Sequence, residues 1–315
     1  MNSFFAVTAP GLEALTTQEL QRLNLLPDTV AIATAGSGGV VFQGDLNALY
    51  RANLHLRTAS RVLVRIGDFS AAAFSELRKK ASRLDWEHYL VPGQPVAIRA
   101  ICKASKLYHA DAVAERIAGA IADRLGKPIV RQKPGDEEAA HLPCREGSSC
   151  GTLRLRSSLR SPHLGILPGA QVSQEGSRHP TSRDISTSGY VTGCRERPSQ
   201  LVVVQLSHNR CTVSVDASGE LLHRRGYRQA VAKAPLRETL AAALLLAAPW
   251  DIATPLIDPF CGSGTIPIEA ALLALGVAPG RQRCFAFMNW PGFSHWPGIL
   301  PATLPSIFDR TLASS

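Results

Sequence analysis

At 315 residues, 45% of them hydrophobic, the chain is long enough for about two domains and apolar enough to bury cores, which excludes a disordered or fibrous protein. Its longest apolar run, Leu240 to Ala248, stops at Pro249, short of the roughly 20 residues needed to cross a bilayer, and Met1 to Pro10 lacks a secretory signal pattern, so a cytoplasmic location is expected. Lys and Arg outnumber Asp and Glu by 34 to 25, a formal charge of +9 that points to a polyanionic partner, because basic side chains facing phosphates release condensed counterions; a merely soluble basic surface gives the same number.

In chain order, the apolar run Phe4 to Val7 reads as a strand, and Leu12, Leu15, Leu20 and Leu23 recur at helical spacing across Gly11 to Leu23. Val40 to Phe42 forms a short strand stopped by Gly44, and Asp45 is placed to cap a helix carrying Leu46, Leu49 and Tyr50. Arg61 to Ile66 is an alternating strand, Ser70 to Ser82 a helix, and Pro95 to Cys102 a strand with Val96, Ile98, Ala100 and Cys102 on one face. Tyr108 to Leu125 is the clearest helix: Val113, Ile117, Ile121 and Leu125 recur every four residues, and Gly126 and Pro128 end it. Residues 137–200 are rich in Ser, Gly and Pro and contain no Lys; they cannot bury enough surface to offset the entropy of ordering them and are expected to be a disordered insertion. Leu201 to Leu206 and Cys211 to Asp216 then form a hairpin, which ends at Gly219.

Seven cysteines, an odd number spread from Cys102 to Cys284, make no disulfide framework, and reduced thiols are expected. His141, Cys144 and Cys150 imitate a metal-ligand spacing only imperfectly, so no metal is expected.

The chemistry lies in Asp258, Pro259, Phe260, Cys261, Gly262, Ser263, Gly264, Thr265 and Ile266, which follow a short apolar strand, Pro255 to Ile257, and open a helix through Glu269 and Leu275. Two glycines permit positive φ and close approach of a ligand, while free N–H groups at a helix start attract an anion. A phosphate-binding P-loop would need a lysine that does not follow, and a dinucleotide fingerprint needs a third glycine where Pro267 stands. With Asp258 at the strand end, the turn fits S-adenosylmethionine, whose carboxylate meets backbone N–H groups while an acidic side chain helps hold the cationic methionine portion; a purely structural turn is the alternative. Upstream, Pro235 starts a helix, Glu238 favours its first turn and Leu240 to Ala248 forms a buried body beside the turn.

Asp258 to Ile266 with Glu269 resembles motif I of class I methyltransferases, and Ala234 to Ala241 resembles the segment preceding it in one RNA-modifying branch. Gly219 to Arg228 is similar to that branch's linker, Ser105 to His109 to its THUMP RNA-binding domain, and Ala9 to Glu13 to its start. The chain thus resembles THUMP-domain class I RNA methyltransferases similar to those that methylate guanine N2 of large-subunit ribosomal RNA, over roughly 1–136 and 201–293. The resemblance implies an α/β chain with an α+β amino-terminal part: a ferredoxin-like segment (1–66), a THUMP region (67–218), then a linker and an incomplete Rossmann-like domain (219–315). It implies S-adenosylmethionine at Pro235, Glu238, Thr239, Asp258, Pro259, Phe260, Cys261, Gly262, Ser263, Gly264, Thr265 and Glu269. RNA, ribosomal by resemblance, is the expected partner. Lys103, Lys106, Tyr108, His109 and Arg116 at one strand-to-helix junction, with Arg224, Arg225 and Arg228 after the hairpin, are its expected contacts.

The sequence departs from that pattern in three ways. Fewer residues follow Pro235 than a doubly wound domain needs; no acidic residue stands between Glu269 and Asp309 to hold ribose hydroxyls; and the family's Asn-Pro-Pro-Tyr catalytic motif is missing, Asn289 to Phe293 being only superficially alike. The expectation is a chain that binds RNA and methylates weakly or not at all, with an RNA-binding module lacking methyltransferase function as the alternative.

Overall fold

The computed structural model describes residues 2–27, 38–132, 199–228, 235–248, 250–291 and 293. The expected insertion, but for its last two residues, and the His141, Cys144 and Cys150 group lie outside them.

Strand β1 (Asn2–Thr8) alternates as expected, burying Phe4 and Ala6 completely. Helix α1 (Glu13–Arg22) begins later than Gly11, which sits at φ +93 and donates its N–H to the Glu13 carboxylate at 2.7 Å. β2 (Gly39–Gly44) pairs antiparallel with β1, and Asp45 caps α2 (Leu46–His55) by accepting the Ala48 N–H at 2.8 Å. Asp45→Ala should therefore cost about 1 kcal/mol, read as a lowered urea midpoint at unchanged slope.

β3 (Ala59–Ser70) outruns the expected Arg61 to Ile66, because it is paired on both edges: β1 lies on one side, and the later strand Arg210–Asp216 on the other continues the ladder to Ser70 past a bulge between Arg65 and Gly67. α3 (Phe74–Ala81), β4 (Pro95–Lys103) and α4 (Ala110–Leu125) follow; Val113, Ile117 and Ile121 are fully buried, and Gly126 ends α4 at φ +67. The three-residue β5 (Val130–Gln132), absent from the sequence reading, pairs parallel with β4. β6 (Gln200–Ser207) and β7 (Arg210–Asp216) form the expected hairpin, with His208 and Asn209 at φ +50 and +62, the left-handed pair that tight hairpin turns use. One sheet results, in the order β2-β1-β3-β7-β6-β4-β5.

The remainder supplies helices α5 (Glu238–Ala247) and α6 (Thr265–Ala274), which pack together. Among the described residues of 219–293 there is no strand, so the expected Pro255 to Ile257 strand is corrected: it has no neighbouring edge to pair with, and Ile257 is 85% exposed. No helix among the described residues is long and apolar enough to cross a membrane.

Residues 280–290, expected to belong with the methyltransferase part, return to the amino-terminal body. Gly280 donates to Leu54 O at 2.9 Å so closely that an added Cβ would lie 2.9 Å from Leu54 Cα. Phe285 and Phe287 are buried edge-on to Tyr50, and Trp290 packs T-shaped on Tyr89, with ring centroids 4.9 Å apart. The Trp290 indole donates to Gln200 Oε1 at 2.9 Å, fastening this segment to the first residue of β6.

Candidate cofactor turn and nucleic-acid interface

The glycine turn forms between the unpaired Asp258 segment and α6. Gly262 and Gly264 take φ +50 and +74, and Gly264 is the N-cap of α6, with no side chain capping it. The first-turn N–H groups of such a helix lack intrahelical partners and face outward with the positive end of the dipole. Pro267, in that first turn, contributes none. Asp258 Oδ1 accepts the Phe260 N–H at 3.1 Å and shapes the entry to the turn. A Cβ at Gly262 would meet nothing nearer than Phe260 O at 4.0 Å, so the turn is an open cradle that a side chain would fill. This geometry fits the carboxylate end of an amino-acid-like ligand. Phe260, 93% exposed, with Pro259 and Cys261, faces solvent.

The other residues expected at the cofactor are drawn into a salt-bridged frame behind the turn. Pro235 is half-buried, and Glu238, Thr239 and Thr265 are buried. Arg228 joins two of them, its Nε donating to Glu238 Oε1 at 3.1 Å and its terminal nitrogen to Thr265 Oγ1 at 3.1 Å; Ser263 Oγ lies 3.2 Å from the same threonine hydroxyl. Glu269 is 1% exposed; Arg225 Nε lies 3.0 Å from its Oε1, and the Tyr227 hydroxyl donates to that oxygen at 3.0 Å. Burial pushes the Glu269 carboxyl upward in pKa and Arg225 pulls it back; burial and the neighbouring carboxylate push the Tyr227 phenol upward.

Two expected RNA contacts are therefore corrected. Arg225 is 3% exposed, its guanidinium committed to Glu269 and to Arg57 O at 2.8 Å, and Arg228 is largely buried against Glu238; neither is presented to a phosphate, because each is paired with a buried carboxylate. Arg224 remains partly exposed, bonded to Glu220 at 3.1 Å.

The junction of β4 and α4 does bring its residues together. Lys103, Lys106, Tyr108 and His109 are exposed around the start of α4, with the Tyr108 and His109 rings 4.1 Å apart. The β6–β7 turn braces them: Asn209 Oδ1 accepts the Lys106 N–H at 2.8 Å, Ser105 Oγ accepts the Asn209 N–H at 3.0 Å, and His208 N donates to Lys103 O at 3.2 Å. This places the exposed His208 beside the lysines; it is not among the contacts expected from the sequence, where a ring in the short hairpin turn was the available signal. Arg116 is exposed in the second turn of α4, its guanidinium 6.0 Å from the centre of the Phe74 ring. Arg124, at the far end of the helix, is paired with Glu87 and Asp85.

His55 is half-buried near Arg51 and Arg57, and burial with those two charges holds its imidazole down to about 4. Protonation then favours the unfolded chain, whose histidine titrates near 6.5, so this residue's contribution is intact above pH 6.5 and is lost as pH falls toward 4. Comparing His55→Gln with the parent between pH 7 and pH 4.5 should show a shallower fall in melting temperature for the variant; parallel curves would sink the assignment.

Three family models match: the RlmL ferredoxin-like domain over residues 3–63, the THUMP domain over 71–134 and the RMKL-like methyltransferase domain over 225–304. The chain thus carries, in this order, a ferredoxin-like, a THUMP and a methyltransferase domain match. Of its seven-stranded sheet, β1 and β2 lie within or at the edge of the ferredoxin-like match and β4 and β5 within the THUMP match, β3 bridges the two, β6 and β7 follow, and the glycine turn comes after them. Similar proteins align along nearly the whole chain. A candidate RNA methyltransferase of Synechocystis sp. is 31% identical over 94% of this chain and 62% of its own length. The ribosomal RNA large subunit methyltransferase K/L of Methylococcus capsulatus is 32% identical over 92% of this chain and 31% of its own. Of the solved structures, a Listeria monocytogenes protein described as a predicted N6-adenine-specific DNA methylase superposes with a TM-score of 0.65 at 31% identity, over 93% of this chain and 60% of that one. SMU.472, a candidate methyltransferase complexed with SAH, superposes at 0.63 with 28% identity, over 92% and 60%. The chain thus spans about three fifths of its shorter relatives and about a third of the K/L proteins.

Proposed function

We propose that this chain supplies the RNA-gripping body and the cofactor turn of an S-adenosylmethionine-dependent RNA methyltransferase, acting on guanine N2 of large-subunit ribosomal RNA. The observation that carries this reading is the left-handed Gly262 and Gly264 turn opening α6 behind Asp258, on a chain whose amino-terminal half is a THUMP-containing body. The SAH complex of a relative and the ribosomal RNA names of the K/L proteins support cofactor and substrate. The reading keeps the division into 1–66, 67–218 and 219–315, with 280–290 folding back onto the first two.

When bound, S-adenosylmethionine supplies an electrophilic methyl group. The chain's own contribution is to hold it: the N–H groups opening α6 receive the methionine carboxylate, and Asp258 offers the amino group a carboxylate. At the junction of β4 and α4, Lys103, Lys106 and His208 pair with phosphates beside the dipole of α4, and Tyr108 offers a ring on which an unpaired base stacks.

Thermal unfolding with and without S-adenosylmethionine tests the cofactor half. A ligand that binds only the folded chain stabilises it by about 2.7 kcal/mol at a hundredfold excess over Kd, so a saturable rise in melting temperature is expected. No shift at millimolar ligand would favour the second reading, an RNA-binding module without methyl transfer. That reading draws on the exposure of Ile257 and Phe260, which leaves no wall for an adenosine among the described residues.

A further inference from the structure

Glu269 sits on the helix that the cofactor turn opens, one turn past Thr265, yet its carboxylate points into charges contributed by other parts of the chain. Arg225 and Tyr227 reach it from the linker, each at 3.0 Å, and Arg57, on the connection between α2 and β3, approaches Oε2 at 3.8 Å. The same Arg57 guanidinium donates to Leu272 O at 3.3 Å, in the last turn of α6, and to Val277 O at 2.6 Å, just past the end of that helix. Arg225 in turn donates to Arg57 O, while Glu19 of α1 accepts the Arg57 N–H at 2.9 Å. At the start of α6, Arg228 ties Thr265 to Glu238 of α5. The helix is thus gripped at its beginning, middle and end by three arginines. One of them, Arg57, belongs to the connection that leads straight into β3 of the sheet.

Packing alone does not ask for this. A buried carboxylate is costly unless it is paired, and an apolar side chain at position 269 would fill the space without that cost. What ions add is direction: the charged contacts form at one register of α6 against the body and break at others. A cofactor ligand would keep a free oxygen toward the turn; the only Glu269 oxygen without a hydrogen bond, Oε2, faces Arg57.

We infer that Glu269 is a positioning residue, not a cofactor ligand: with Arg57 and Arg225 it locks α6, and with it the Gly262 and Gly264 turn, to the RNA-binding body. This rests on the function proposed above in taking the turn as the cofactor site, and it assigns to the cluster the distance between bound RNA and methyl donor.

The test uses the 315-residue chain, its Glu269→Gln, Arg57→Lys and Tyr227→Phe variants, S-adenosylhomocysteine as the probe of the turn, and unmodified large-subunit ribosomal RNA transcribed in vitro as the probe of the body. Hydrogen exchange is read in the free proteins at two places, residues 262–270 and the strands β1, β3 and β6. Glu269→Gln and Arg57→Lys should accelerate exchange in 262–270 at least tenfold, leave the strands unchanged, weaken S-adenosylhomocysteine binding at least tenfold and leave RNA affinity within twofold. Tyr227→Phe should show the same pattern at a few-fold. A residue with a general structural role would move the strands and RNA affinity together with the turn. Unchanged exchange in 262–270 in the three variants overturns the inference; so does a loss of S-adenosylhomocysteine binding confined to Glu269→Gln, which marks a direct ligand. Should Glu269→Gln not fold, the two milder variants decide. If the parent chain binds no S-adenosylhomocysteine, the proposed cofactor site fails, while the exchange comparison still decides whether Glu269 locks the helix.

Discussion

Trp290→Ala is expected to destabilise the amino-terminal body by about 3–5 kcal/mol, with a further 1–3 kcal/mol from the acceptor it orphans. The indole is 8% exposed, wedged against Tyr89 and Phe287, and its N–H satisfies Gln200 Oε1. Truncation removes the ring from a packed cluster and leaves that amide oxygen buried without its donor. Since a domain's whole stability is about 5–15 kcal/mol, the variant should be largely unfolded at moderate temperature. Urea unfolding followed by circular dichroism measures it. Trp290→Phe, which keeps a ring but loses the hydrogen bond, should fall between the two proteins. A stability within about 0.5 kcal/mol of the parent would mean that residues 280–290 are not part of this core.

The second large effect concerns the turn. Gly262→Asp places a Cβ at φ +50, where residues other than glycine are strained, and sets a negative charge where the ligand's carboxylate would lie. Affinity for S-adenosylmethionine should fall at least a hundredfold, about 2.7 kcal/mol, while RNA affinity stays within twofold, because the basic junction of β4 and α4 is a separate surface. Calorimetric titration of the cofactor and filter binding of the RNA read the two effects. Equal cofactor affinity in parent and variant would show that the turn is not where the ligand's carboxylate binds.

What the sequence made legible was local. Asp45 before an apolar helix pattern, the four-residue spacing of Val113, Ile117 and Ile121, the alternation of β4 and the two glycines behind Asp258 each announce their geometry within a few residues, and the structure places each accordingly. What stayed hidden depends on pairing across the chain. Arg57 carries no pattern of its own, since its partners Glu269 and Val277 lie more than 200 residues away. Arg225 reads as a surface cation until Glu269 is placed beside it. The Pro255 to Ile257 segment has a strand's composition without a strand's neighbour, and the aromatic run from Phe285 to Trp290 gives no hint that its partners are Tyr50, Tyr89 and Gln200. The candidate cofactor turn was legible; the frame that holds it was not.

The shared sheet bears on how such proteins can be recombined. The ferredoxin-like match ends at residue 63 and the THUMP match begins at 71, yet β3 runs from Ala59 through Ser70 and is zipped to β7 along most of its length. A breakpoint between the two would cut a central strand and bare the edges of both halves, and a graft that left out residues 280–290 would carry a hole where Phe287 and Trp290 sit. The exchangeable unit is therefore not the THUMP domain but the whole sheet with its carboxyl-terminal plug, and chimaeras between relatives should be soluble only when that unit comes from one parent.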